Sequence, residues 1–332
     1  MSICARQRGV ALVMVLLVIA LVAVIAVSMG GRLKGQIDRV MAVQQSEQAY
    51  WHWLSAEELV RQVLLAEQEE DETIHLNQNW ATQQGPYPVE GGYIAGTVYD
   101  LQSCFNLNAM FRDPNDTATY ELIDESYRAL LEALEFDEYT SRRLAATLTD
   151  WLDEDNQLIN QYGAEDADYE SLPRPYQAAN ALLNHVSDLR QIQGYTREVY
   201  EVIRPYVCVI PGVAEWQPNI NTIDAEQPEL LSAVFGGRLD VQSAANVLAA
   251  RPDDGFAATD EVIDQPEIQA IDPNSTNAPP GSDMLSVTSE YFELRAAIQY
   301  GEIEFFAVSK LQVREGEART LHRSRRGYDW ND

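Results

Sequence analysis

Potential ligand chemistry concentrates between residues 150 and 170. Asp150, Asp153, Glu154 and Asp155 form one acidic cluster, and Glu165, Asp166, Asp168 and Glu170 form a second. Ca2+ takes about six to eight oxygen ligands, and the turn-like stretch 160–163 could bring both clusters onto one ion. Asp153, Asp155 and Gln157 alternate as an EF-hand loop begins, but Leu158 stands where that loop needs Gly, and Ala164 stands where it needs Glu. The stretch is therefore not an EF-hand, and charge alone favours a solvated acidic surface.

No catalytic constellation accompanies these acids. His52, His75, His185 and His322 have no His or Cys neighbour at metal-ligand spacing, and the nucleophile-elbow, phosphate-loop and zinc-protease motifs are missing. A chain with 52 Asp+Glu could still bring two carboxylates together as a glycosidase does, so an acidic hydrolase is the enzymatic alternative. The sequence is read as non-catalytic. Of three cysteines, Cys4, Cys104 and Cys208, only the last two lie beyond the apolar segment described below. An oxidising compartment would let them pair; two separate buried thiols is the other reading.

Charge narrows the partners. Residues 40–313 hold 13 Lys+Arg against 47 Asp+Glu, a net charge of −34, while both ends are basic. Such a surface repels phosphate backbones, whose binding depends on cationic side chains, so nucleic acid is excluded. Divalent cations and basic protein surfaces fit better.

The elements that must position these residues begin with a membrane segment. Residues 10–29 carry no charge and, at about 1.5 Å per residue, reach about 30 Å as a helix, one bilayer. Arg6 and Arg8 precede the span and Arg32, Lys34 and Arg39 follow it. The positive-inside bias keeps the short leader in the cytoplasm and exports the rest. A cleavable signal peptide ending at Ala26-Val27-Ser28 is the alternative, though its apolar core would be longer than such peptides use; a plain anchor is another. Leu33, Ile37, Val40, Met41, Leu54, Leu59 and Val63 continue at helical spacing to about residue 70.

Alternation predicts strands over 93–106, 289–299, 302–314 and 318–325. Between them the periodicity predicts helices or helical turns over 120–134, 137–151, 174–185, 186–189, 195–202 and 226–235. Asn106-Leu107-Asn108 and Asn219-Ile220-Asn221 each introduce a helix pair, with 144–152 and 244–251 as second helices. The second pair resembles a helix-hairpin-helix unit around Phe235-Gly236-Gly237, but only Arg238 and Arg251 lie near it, so it reads as structural and not DNA-binding. Residues 264–286, rich in Pro, Asn and Ser, read as a linker.

Arg8-Gly9-Val10-Ala11-Leu12 resembles the type IV prepilin signal, in which a prepilin peptidase cuts after Gly. By that resemblance Gly9 and Val10 flank the cut, Val10 becomes a methylated N-terminus, and the fifth mature residue is Met14 where most pilins carry Glu. Among pseudopilins a missing Glu marks the K subunit of type II secretion, placed at the filament tip. Cys104-Phe105-Asn106-Leu107-Asn108, Asp150-Trp151-Leu152-Asp153, Gly163-Ala164-Glu165-Asp166, Pro175-Tyr176-Gln177-Ala178-Ala179-Asn180 and Pro218-Asn219-Ile220-Asn221-Thr222 are similar to landmarks of that family.

The resemblance implies an α+β fold: a transmembrane and spine helix packed on a small antiparallel pseudopilin sheet, with a mostly helical domain inserted between strands. The segments are then a leader at 1–9, a span at 10–29, a spine at 30–70, sheet parts at 71–105 and 287–332, and the insertion at 106–263. It implies a single-pass inner-membrane protein with a periplasmic domain, supporting export of folded proteins, with the I and J minor pseudopilins, the prepilin peptidase and the inner-membrane secretion platform as partners. It also turns the acidic clusters into a Ca2+ site, with Asp153, Asp155, Gln157, Glu165 and Asp166 as ligands. A minor type IV pilin or a calcium-dependent periplasmic binding module are the alternatives.

Overall fold

The computed structural model describes residues 8–82, 85–272 and 278–326; most of the leader, the middle of the proline-rich linker and the last six residues lie outside the described residues. Helix α1, Arg8–Glu70, is 63 residues long, about 95 Å at the helical rise. No Pro interrupts the run. Residues 10–43 are solvent-exposed, and the first fully buried side chain is Ala49. From there Ala49, Trp53, Glu57, Val60 and Leu64 recur every three or four residues and lie against a sheet.

That sheet has the order β1-β2-β5-β6-β7 and is antiparallel throughout. Its strands are Tyr87–Val89 (β1), Gly92–Asp100 (β2), Tyr291–Tyr300 (β5), Ile303–Arg314 (β6) and Glu317–Arg326 (β7). A register shift between Lys310 and Leu311 of β6 leaves Leu321 as an extra, unpaired residue on β7, a bulge of the kind common at sheet edges. Leu294, Ala296, Ile298, Phe305 and Ala307 meet Ala49 and Trp53, while Phe292, Leu311, Val313 and Ala318 meet Leu64, Ile74 and Trp80. A polar clamp reinforces this layer: buried Glu57 accepts from Ser309 (2.6 Å), Thr320 (2.6 Å) and both nitrogens of the Arg323 fork (2.7 and 2.8 Å). Truncating Leu64 to Ala would cost about 2–5 kcal/mol in such a packed layer.

Everything between β2 and β5 forms a second unit, in which β3 (Phe105–Asn106) and β4 (Val207–Cys208) make a short parallel pair. Its helices are Thr117–Ala133 (α2), Glu138–Leu152 (α3), Asp166–Glu170 (α4), Arg197–Ile203 (α5), Pro228–Val234 (α6), Val241–Ala249 (α7), Thr259–Ile263 (α8) and Pro266–Gln269 (α9). Asp116, Asp137, Thr196 and Asp240 cap α2, α3, α5 and α7 through side-chain oxygens. The core stacks Phe105 between Tyr127 and Trp216, at ring separations of 4.9 and 4.6 Å. Cys104 and Cys208 are joined in a disulfide across the root of this unit, with Cα atoms 5.8 Å apart. The expected α+β arrangement with a long apolar N-terminal helix thus stands.

Three local expectations change. Residues 174–185 form no helix. Pro173 and Pro175 disfavour it, Asn180 takes φ of 45°, and buried Asn108 grips Leu183 by accepting from its N–H and donating to its carbonyl. The strand expected over 93–106 breaks after Asp100, whose carboxylate accepts from the Gln102 N–H at 2.7 Å and turns the chain. The linker at 264–286 carries α9, where Pro266 sits at the first helical turn as it prefers, and a 3-10 turn at Ser282–Met284.

The units meet at a buried node. Asp100 accepts from Thr222 and Ser289 (2.5 Å each), and Asn219 donates to Ser289 (2.8 Å) and to the Ile74 carbonyl (2.9 Å). Both basic residues of the second helix pair are used internally: Arg238 pairs with Glu125 at 2.8 Å, and Arg251 donates to the carbonyls of Ile220 and Ile223.

Candidate cation site in the helical insertion

Helix α3 ends in Asp150-Trp151-Leu152-Asp153, and spacing of three puts both carboxylates on one face of its last turn. The chain then folds back over that face. Asp150, fully buried, accepts from the Ile159 N–H at 2.9 Å. Gly163 passes so close that a Cβ there would lie 1.8 Å from Asp150 Oδ2, so any other residue would have to displace the Asp150 carboxylate for the returning loop to close. The next residues, Ala164 and Glu165, are buried, and Glu165 opens α4 with its N–H donating to Asp168 at 3.1 Å.

Oxygens from Asp153, Asp155 and Glu165 come within 4.8 Å of one another. Asp150 Oδ2, Asp153 Oδ1 and both Glu165 carboxylate oxygens are buried without a hydrogen-bond partner. Such orphaned oxygens are costly unless a cation meets them. Burial, then the charges of Asp153 and Asp155, push Asp150 up to about 7 despite the Ile159 N–H. Burial and the charge of Asp155 raise Asp153 to about 6. Glu165 rises to about 7 through burial and the charges of Asp150, Asp153, Asp166 and Asp155. A group of hard carboxylate oxygens that resist ionising together fits a hard divalent cation, Ca2+ in particular.

The expected ligands divide. Asp153, Asp155 and Glu165 converge. Gln157 is exposed, and its backbone N–H donates to Asp155 at 2.7 Å. Asp166 is occupied by the Asn156 side-chain amide (2.7 Å) and the Ala178 N–H (3.0 Å), outside the converging three. Asp150, outside the expected ligand set, adds a buried carboxylate whose Oδ2 has no partner and whose charge acts on Glu165; its spacing from Asp153 and the Gly163 opposite it were the available signals. Val10 and Met14 sit exposed on α1, and Gly9 lies within the same helix.

The family described as Type II secretion system (T2SS), protein K, matches at residues 103–212 and again at 218–283. The chain is 37% identical over 310 residues to the Type II secretion system protein K of Aeromonas hydrophila, spanning 91% of this chain and 92% of that one. It is 33% identical over 329 residues to the protein of the same description from Pectobacterium carotovorum subsp. carotovorum, spanning 97% and 98%. Its fold is similar, at a TM-score of 0.76 and 30% identity, to a chain in the crystal structure of the GspK-GspI-GspJ complex from the enterotoxigenic Escherichia coli Type 2 Secretion System. That likeness covers 87% of this chain and 99% of the other.

Proposed function

The chain belongs to the type II secretion system protein K family, minor pseudopilins of that system, and we propose that it caps the pseudopilus as a single copy bound to the I and J subunits. One observation carries the reading: 87% of this chain, at 30% identity, matches the fold of a chain in a K-I-J complex over 99% of that chain's length. The proposed role is to help start filament assembly and so support export of folded proteins; it involves no catalysis by this chain.

Anchoring follows from α1. Its charge-free window sits near the N-terminus and has none of its surface buried inside the protein, as a bilayer span requires. In the proposed topology the span crosses the inner membrane once and the acidic domain stands in the periplasm. The prepilin peptidase cuts between Gly9 and Val10, the new N-terminus is methylated, and the chain then meets the inner-membrane secretion platform. Met14 gives a neighbour's terminal amine no carboxylate, since only an ionised group offsets that charge in hydrocarbon. A subunit without it fits an end position better than a repeating one, and the bulky insertion would crowd a shaft.

Asp150, Asp153, Asp155 and Glu165 would hold Ca2+, whose charge relieves their mutual repulsion and ties the return loop to α3. Co-purification of the chain with candidate I and J subunits tests the reading: a stable ternary complex is expected, and failure to associate overturns it. N-terminal sequencing should begin at Val10, and immunogold labelling should mark filament ends; label along the shaft would refute the tip position. Calorimetric titration with Ca2+ should show saturable binding that is lost in Asp153→Ala with Glu165→Ala.

A further inference from the structure

Between the bilayer and the sheet, α1 presents two unlike faces. At 100° per residue, Leu33, Ile37, Val40 and Met41 lie on one side, whereas Arg32, Gly35, Arg39, Ala42 and Ser46 lie on the opposite, sheet-facing side. Strand β7 extends that second side: the Arg325 guanidinium sits 4.3 Å above the Phe305 ring and donates to Ser46 at 3.3 Å. Arg32, Arg39 and Arg325 are exposed. Among the described residues no ion pair reaches any of them, whereas nearby Arg323 is paired with Glu57. Asp38 and Glu47 project about 100° away from Arg39 and Ser46 respectively.

We propose that this basic stripe seats an acidic α-helix of a neighbouring subunit, laid along α1 below the sheet; the inference rests on the pseudopilin reading above. Arg32, Arg39 and the Ser46 level where Arg325 arrives are seven residues apart, about 10.5 Å along the axis. Carboxylates recurring every seventh residue on one helix face would meet all three. Gly35 and Ala42 lie between the cations, and nothing stands within 4 Å of a Cβ at Gly35, so the partner backbone can approach closely. A second copy of this chain in register would bring arginine against arginine.

Anionic lipid does not fit as well. Headgroups extend only about 5–7 Å beyond the hydrocarbon, and surface potential decays within about 8 Å at physiological salt. Arg39 lies about 15 Å and Ser46 about 25 Å beyond Met29 along the helix. Lipid can therefore reach Arg32 alone.

The test places a photoreactive residue at Ala42 in the full-length chain, held in membranes with candidate I and J subunits. A cross-link into an acidic helical stretch of a partner is expected. It should be lost in Arg39→Glu with Arg325→Glu and retained in Lys34→Glu, which projects to the other face. Cross-links to lipid alone, to a segment without carboxylates, or unchanged by the double charge reversal would overturn the stripe. If I and J associate with the chain yet none of the expected cross-link forms, only this inference fails; if they do not associate at all, the pseudopilin reading fails with it.

Discussion

Replacing Cys104 and Cys208 together by Ala should cost stability at the upper end of what a single core truncation removes. The bridge spans 104 residues of sequence, and the loop-entropy relation gives about 4.7 kcal/mol for a closed loop of that size. Native contacts around the root do not offset this loss: the Phe105 N–H to Tyr206 carbonyl bond (2.9 Å) and the Ile210 N–H to Asn106 bond (3.1 Å) exist only in the folded chain. The disulfide acts on the unfolded ensemble instead, where those bonds are gone. A loss of about 4 kcal/mol is a large share of the 5–15 kcal/mol typical of folded domains. Urea titration at fixed Ca2+ concentration should report it, read by near-ultraviolet dichroism. Trp216 is a local probe, since its indole N–H donates to the Cys104 carbonyl at 3.0 Å and its ring packs on Phe105. A difference below about 1 kcal/mol between the oxidised chain and the double variant would refute the loop-entropy argument.

Gly163→Ala should destabilise the chain by about 1–3 kcal/mol and abolish its thermal stabilisation by Ca2+, because the new Cβ displaces the Asp150 carboxylate; differential scanning calorimetry with and without Ca2+ checks both. In metal-free protein, Asp150, Asp153 and Glu165 bind protons more readily folded than unfolded. Their contribution is therefore fully present below about pH 4 and lost as pH rises through about 6 to 7, so the melting temperature without metal should rise on acidification while the Ca2+ response shrinks; an increase in that response at low pH would contradict the site. Glu57→Ala should cost about 2–4 kcal/mol by stranding its hydroxyl and guanidinium donors, measured by thermal unfolding. Burial works against ionised Glu57, but its bonds to Arg323, Ser309 and Thr320 win and hold its carboxyl below the usual value. The clamp's stabilisation should therefore persist at mildly acidic pH and fade only as pH falls through that depressed value.

Much of this protein was legible along the chain because it is written in local periodicity. The uncharged run from Val10 to Met29, the helical spacing from Leu33 to Val63, and the alternation of β2, β5, β6 and β7 each report a local element; which face of α1 meets the sheet was not among them, since Leu33, Ile37 and Leu59 stay exposed while Ala49, Trp53 and Leu64 are buried. The pairing of Cys104 with Cys208 was foreshadowed because they are the sole cysteines past the span. Other features depend on what arrives from far away in sequence. That Asp150 is covered by Gly163 folding back onto α3, and that Asn156 and Ala178 take Asp166, was decided only in the packed chain. The helical composition of residues 174–185 was overruled by prolines and by Asn108, which reaches Leu183 across 75 positions. Arg39 and Arg325 are separated by almost the whole chain, and only the antiparallel return of β7 beside α1 sets them in one line. Periodicity specifies the kind of element, but hydrogen bonds and charges are short-ranged, so their partners exist only once the elements are packed.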